Sequence, residues 1–364
     1  MSPNLRAVCG NFTCALTGAT AVGEVMSSPR LHQFACPSRR NRLRFLAVGL
    51  LSTALMSLGS ALAWADDESI ILDLVRHGES VDNAAGIIDT QPPGTGLDAT
   101  GETEASAVAN SIISEYGKNI AGVYDSLELR TQETAQPLLD ALSTPTNTVT
   151  ATELAGLTEI SAGVFDGDPT NSLEGILYFL GPVSWALGDV LTPELGDPSL
   201  NGVVFDQDFS GAVQTIYDNT VGGAGSLNDV AFSSEGAIAV WTLMNVNNPD
   251  FSALLTTYED TGQLLPNTGQ VVVDGSPGDW TLVSYDGIAV PQDPGLSTEL
   301  FVDFRNLIEA PQFAGYDIYE ALLTGNSATI DSALQTGLSQ VETAFSQFPV
   351  EVFNDIVSAF GGSI

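Results

Sequence analysis

At 364 residues and 44% hydrophobic content, the chain is long enough to bury one sizeable core, or one core with an appendage. Its 45 acidic residues against ten Lys and Arg give a formal net charge of −35 at pH 7, which disfavours nucleic acid and anionic membranes as partners. The acidity suits solubility outside the cell or in high salt; Asp166-Gly167-Asp168 and Asp206-Gln207-Asp208 are too short for calcium loops, and no metal or organic cofactor is expected.

The N-terminus reads as a targeting segment. Ser38-Arg39-Arg40-Asn41-Arg42-Leu43-Arg44 is basic, an apolar run extends from Phe45 to Leu62, and Ala63-Trp64-Ala65 precedes Asp66-Asp67-Glu68. A basic region, an apolar region and an Ala-x-Ala site describe a secretory signal peptide over residues 1–65, which predicts a secreted or cell-envelope protein without stable membrane association after cleavage. The run is also close to the length of a membrane span, so an uncleaved anchor is the alternative. Arg39-Arg40 suggests twin-arginine export, and Met26 offers a later start. Cleavage after Ala65 removes all three cysteines (Cys9, Cys14, Cys36), His32, six of the ten basic residues and one acid, Glu24. What remains has no thiol, His77 as its one histidine, and Arg76, Lys118, Arg130 and Arg305 against 44 acids.

Beyond residue 66, Ile70–Val75 predicts a buried strand and Thr100–Tyr116 a helix, with Ala105, Val108, Ala109, Ile112 and Ile113 at helical spacing. Gly122–Tyr124 predicts a short strand, Leu129–Leu142 a second helix, and Asn147–Glu153 a third strand. Residues 168–205, rich in Pro, Gly and Leu, read as an insertion. A helix over Phe209–Tyr217, a strand over Asp229–Ser233 and a helix over Gly236–Met244 follow. Gln270–Val273 and Trp280–Ser284 form a closing pair of strands. This alternation predicts a three-layer α/β/α sandwich with a mostly parallel central sheet over residues 66–291. Residues 292–364 predict a helical C-terminal extension of several amphipathic helices separated by Gly, Asn and Pro.

Leu74-Val75-Arg76-His77-Gly78-Glu79-Ser80 falls at the carboxyl end of the first strand, where open α/β sheets place ligands. Phosphoryl transfer needs a nucleophile, donors for the phosphate oxygens and a proton source. Imidazole can accept a phosphoryl group, which makes His77 the candidate nucleophile. Arg76 offers a charged planar fork for two oxygens, and Gly78 permits close backbone approach.

This string resembles the first-strand signature of the histidine phosphatase (phosphoglycerate mutase-like) superfamily, with Asn83 three residues on. Gly96-Leu97-Asp98-Ala99-Thr100-Gly101 with Ala105 is similar to the family's Leu-Thr-x-x-Gly-x-x-Gln-Ala helix start. Ser126-Leu127-Glu128-Leu129-Arg130-Thr131 with Thr134-Ala135 resembles the segment supplying a second phosphate-binding arginine, here Arg130. Leu157-Thr158-Glu159 with Gly163-Val164-Phe165-Asp166-Gly167 resembles the loop of the catalytic acid, here Glu159. Leu265-Pro266-Asn267 and Trp280 resemble the closing strands. The likeness covers about residues 70–290, five motifs in the family's order.

The resemblance implies a phosphomonoesterase with a phosphohistidine intermediate on His77, phosphate held by Arg76, Arg130, Asn83 and Gly78, and a small phosphomonoester as substrate. Ordinary readings stand beside these: a surface ion pair for Arg130, an exposed glutamate for Glu159, a turn cap for Asn83. One departure is serious. The family's second histidine, in a Ser-His-Gly turn after a late strand, is matched here by Ser234-Glu235-Gly236, so Glu235 stands in its place. Beside Glu159 it forms a like-charge pair in which one pKa rises; a protonated Glu235 then donates to phosphate and favours turnover below pH 6. The rival is a catalytically impaired pseudophosphatase that binds a phospholigand or a partner in the envelope. A mutase of phosphorylated acids also needs a cation for the carboxylate, and no Lys or Arg lies between Arg130 and Arg305. The resemblance further implies that the insertion covers the site. Tyr178, Phe179 and Trp185 then form an apolar lid that prefers apolar or aromatic leaving groups; the alternative is that they only pack the insertion down.

Overall fold

The structure, a computed structural model, describes residues 68–361 apart from Ala224; the expected signal peptide lies outside the described residues. Seven strands, β1 (Ile70–Arg76), β2 (Gly122–Asp125), β3 (Thr152–Glu153), β4 (Asn228–Ser233), β5 (Gln270–Ser276), β6 (Asp279–Tyr285) and β7 (Ile288–Ala289), form one mixed sheet in the order β3-β2-β4-β1-β5-β6-β7. The first four pair in parallel, and β5, β6 and β7 add antiparallel. The helices are α1 (Val81–Ala85), α2 (Ala99–Tyr116), α3 (Leu129–Leu142), α4 (Leu173–Ala186), α5 (Gly202–Val221), α6 (Glu235–Asn245), α7 (Phe251–Thr261), α8 (Leu296–Thr324) and α9 (Ser327–Ala359).

Alternation along β1 creates the layers. Ile70, Leu72 and Leu74 enter a core with Phe209, Ile216, Ile238 and Trp241 from α5 and α6. Val75 points the other way, into a core with Val108 and Ile112 of α2 and Leu138 of α3. The result is the expected three-layer α/β/α sandwich with a helical C-terminal region. Helix starts follow side-chain caps: Ser80 accepts from the Asn83 amide, and Asp98 accepts from Thr100 and Gly101.

Several expectations change. Only Thr152–Glu153 of the expected strand 147–153 pairs with β2, because Asn147–Thr150 lies outside the ladder. The helix expected over 209–217 starts at Gly202, where Asn201 caps it. Helix α7 was not expected, although Asp250 is a cap signal: its carboxylate accepts from Ser252 and Ala253. The insertion contains helix α4, followed by turns and loop up to the start of α5. The C-terminal region holds two long helices rather than several, parted at Gly325-Asn326; Pro311 and Pro349 lie inside them without ending them. The two helices pack along one another. No described helix is long and apolar enough to cross a membrane.

Candidate active site

The β1–β4 register sets Arg76 beside Ser233, so the residues that follow the two strands, His77 and Ser234-Glu235, meet at the carboxyl edge of the sheet. The His77 backbone is clamped: its N–H donates to Ser233 O at 3.0 Å and its carbonyl accepts from Thr268 at 3.2 Å. The buried ring places Nδ1 2.7 Å from Gly78 O, and Arg130 Nε donates to His77 Nε2 at 3.0 Å. A carbonyl only accepts and a guanidinium only donates, so both contacts require the proton on Nδ1 and the lone pair on Nε2. Burial, and then the charges of Arg130 and Arg76, hold the imidazole pKa well below its usual value, which keeps the ring neutral.

Arg130 opens α3, and each nitrogen of its guanidinium makes one contact: Nε on His77, Nη1 on Asp89 Oδ2 at 3.3 Å, Nη2 on Glu128 Oε1 at 2.5 Å. Burial pushes Glu128 up to about 7 against the opposing charge of Arg130; Ser126 and Ser234 donate to its other oxygen. Arg76 sends Nη1 to Gln263 Oε1, Leu265 O and Glu235 Oε2 (3.0 Å), while its Nε is buried with no partner.

Glu159 and Glu235 sit at the N-terminus of α6. Glu159 Oε1 accepts from Ile160 and Ala237, both at 2.9 Å, and Oε2 from Gly236 at 3.1 Å. A Cβ at position 236 would stand 2.9 Å from Glu159 Oε1, so a glycine there lets the carboxylate reach the helix end. Burial raises the Glu159 pKa against those amides and Arg130, with the charge of Glu235 adding a smaller push. The two carboxylates thus lie close enough for the charge of Glu235 to add to the rise of Glu159. Glu235 departs from expectation: Leu264 N, Leu265 N and Arg76 are all donors, so its oxygens act as acceptors and the expected donating role is not what the geometry offers.

The remaining candidates divide. Ser80, not Asn83, caps α1; the Asn83 side chain lines the site and its Oδ1 is buried without a partner. Gly78 is displaced from its expected role. Its N–H donates to Thr134 Oγ1, and its missing Cβ makes room for Gly101 O on α2, 2.8 Å from where that Cβ would be. The cavity holds about 100 Å³ between Arg76, His77, Arg130, Glu159 and Glu235. Helix α4 supplies a wall through Gly175, Tyr178 and Phe179. Trp185 does not reach it: fully buried, it stacks on Phe205 at 5.7 Å and donates to Thr192 O. Of the expected lid residues, Tyr178 and Phe179 line the cavity and Trp185 packs into the core.

Sequence reading missed Asp89, Thr90 and Glu128. Glu128 stood inside a quoted motif without a role. Asp89 meets Arg130 across 41 positions of chain and carries no local signal. Among the described residues, no group of three His, Cys, Asp or Glu side chains is placed to hold a metal ion.

The histidine phosphatase superfamily (branch 1) matches residues 72–176. PE-PGRS family protein PE_PGRS11 of Mycobacterium tuberculosis is 45% identical over 302 residues, 81% of this chain but 49% of that protein, so the chain spans about half its length. The uncharacterized protein Rv0525 of the same organism is 33% identical over 178 residues, 48% of this chain and 77% of that one. Among solved structures, the mycobacterial glucosyl-3-phosphoglycerate phosphatase Rv2419c matches at 17% identity and a TM-score of 0.44, covering 60% of this chain and 98% of that one. A phosphoserine phosphatase of Entamoeba histolytica matches at 21% and 0.42, covering 60% and 96%. With His77, two arginines and a buried carboxylate meeting at the sheet edge inside the matched sequence pattern, the chain belongs to the histidine phosphatase superfamily.

Proposed function

We propose that the chain is an exported phosphomonoesterase acting through phosphohistidine on His77. Superfamily members are phosphatases or mutases, which supports a phosphoryl-group hydrolase in general. The observation that carries the finer reading is the neutral His77 ring, its Nε2 lone pair turned to Arg130 in a cavity that also holds Arg76. An entering phosphate takes over the donors of Arg130 and the unpartnered Nε of Arg76, with Asn83 beside them. Nε2 attacks phosphorus in line, the ester P–O bond breaks, and its electron pair stays on the leaving oxygen. Glu159, raised by burial, delivers a proton to that oxygen; Oε2, with one amide at 3.1 Å, is the freer oxygen. Water then attacks phosphorus and gives its proton to Glu159; the N–P bond breaks, its electron pair returns to His77 Nε2, and phosphate leaves.

The test is hydrolysis of an aryl phosphate by the mature protein, with trapping of the phosphoenzyme. His77→Ala should lose at least roughly 1,000-fold in turnover and all acid-labile phosphoprotein, a scale set by loss of the nucleophile. Undiminished activity in that variant would remove His77 from the mechanism.

One observation favours a second reading, a phospholigand-binding pseudophosphatase. The Glu235 carboxylate already occupies Arg76 and two backbone amides at the place where an anion would dock. Phosphate binding without turnover, in the wild type and in Glu235→Gln alike, would select it.

A further inference from the structure

Two features outside the reacting centre point at the non-phosphate side of the substrate. The first is an accounting of cations. From residue 68 to 361 the basic residues are Arg76, Lys118, Arg130 and Arg305. Arg76 and Arg130 hold the phosphate subsite. Lys118 donates to Ala141 O at the end of α3, and Arg305 is buried with Nη1 on Leu243 O and Val246 O. No cation among the described residues is left for a second phosphate, a carboxylate or a sulfate. Asp89 and Glu235, both lining the cavity, would repel one.

The second feature is helix α4. Its buried face (Tyr178, Pro182, Trp185) packs inward. The opposite face is apolar and open: Leu173, Ile176, Leu180, Val183 and Leu187 are each about half exposed or more. These positions recur at three- and four-residue intervals, so they form one stripe. Phe179 lies between the two faces. It lines the cavity and is itself 38% exposed, so the apolar lining runs without a break from the phosphate subsite onto the stripe. From Phe179 the stripe extends about 9 Å in one direction and about 12 Å in the other, at the helical rise per residue. On a chain with so large an acidic excess, an aliphatic strip joined to a cation-poor cavity is a contiguous surface rather than scattered exposure.

We propose that the substrate is a phosphomonoester of a long alkyl or acyl chain, its phosphate between Arg76 and Arg130 and its chain passing Phe179 onto the exposed face of α4. The inference rests on the phosphatase reading for turnover but not for binding. Full burial of a methylene is worth about fourfold in affinity, and a chain lying on an open surface gains about half of that free energy, so roughly twofold per methylene.

The test uses n-alkyl monophosphates from butyl to decyl, below the concentrations at which they aggregate, and the matching alkylphosphonates, which cannot be hydrolysed. In the mature wild-type protein, kcat/KM should rise about 50-fold from butyl to decyl, and calorimetric affinity for decylphosphonate should exceed that for butylphosphonate by a similar factor. In the double variant Ile176→Ser with Leu180→Ser, both exposed positions, the decyl-to-butyl ratio should fall below about tenfold. That ratio is unaffected by the fraction of protein folded. A flat chain-length dependence in the wild type, or a slope unchanged in the double variant, overturns the inference whether or not any ester is hydrolysed. Absence of turnover with the phosphonate slope intact overturns only the phosphatase reading.

Discussion

Each Glu235 oxygen faces a donor: Oε1 the amides of Leu264 and Leu265, Oε2 the guanidinium of Arg76. On the proposed phosphatase reading, this carboxylate competes with the substrate phosphate for Arg76. Glu235→Gln keeps an acceptor for the amides and removes the competing charge; KM for an aryl phosphate should fall about tenfold, on the order of 1.4 kcal/mol. Glu235→His should in addition raise turnover at neutral pH, since an imidazole beside Arg76 donates where the carboxylate repels. Unchanged KM in both variants would show that Glu235 stands clear of the phosphate. The pH profile follows from the other two groups. His77 must be neutral, and its lowered pKa keeps it so well below the usual imidazole range; activity is lost only as pH falls through that lowered value. Glu159 must be protonated, and its raised pKa extends that form upward; activity is lost as pH rises through it. A bell with an acid-side optimum is expected in kcat/KM, and Glu159→Gln should lose the alkaline limb. An acid-side optimum is therefore expected from the raised pKa of Glu159, whose first cause is burial.

Helix α4 shows how one element divides its labour by face. Tyr178 donates to Ile160 O at 2.7 Å, bracing the backbone next to Glu159, and Phe179 faces the cavity, while Trp185 sits further along the helix in the core with Phe205 and Phe209. Trp185→Ala should therefore cost about 3–5 kcal/mol of stability, the usual range for emptying an aromatic core site, with KM for an aryl phosphate unchanged in the folded fraction. Urea denaturation beside steady-state kinetics separates the two; a raised KM with stability kept would return Trp185 to the lid. Composition alone marked residues 168–205 as an insertion. The faces were hidden because α4 is apolar nearly all round, so its sequence carries little of the polar contrast that orients an amphipathic helix.

At the scale of the whole molecule, the acidity continues into the interior. Burial pushes Asp73 up to about 7, Glu128 and Glu194 to about 7, and Asp125 and Asp229 to about 6. For an acid whose pKa is raised by folding, the folded state binds the proton more tightly. Stability is then greatest below the unfolded pKa, near about 4, and is lost as pH rises toward the folded values. The melting temperature should climb as pH falls from about 8 to about 5, where partial neutralisation of the net charge of −35 acts in the same direction. Asp73 is fully buried, with Gln270 Nε2 on Oδ2 at 2.6 Å and Oδ1 unpartnered. Asp73→Asn should add stability at about pH 8, on the order of 2 kcal/mol after allowing for relaxation, and flatten the dependence on pH. A melting temperature that rises with pH over that same interval would contradict this account.

The sequence by itself determined the alternation of β1, α2, β2 and α3, the placement of Arg76 and His77 at a strand end, the pairing of Arg130 with a helix start, and the gap left by Glu235. Each of these is local: a period of two or 3.6, a cap, or a short string whose spacing is set within one turn or one strand. Tertiary structure alone decided which groups meet. Asp89 reaches Arg130, the N-terminus of α6 receives Glu159, and Glu235 pairs with Arg76, through contacts between residues far apart in the chain that depend on strand register and loop path. The burial that silences the His77 proton and lifts that of Glu159 is likewise a property of the packed sheet edge, since desolvation exists only once the layers close over the site.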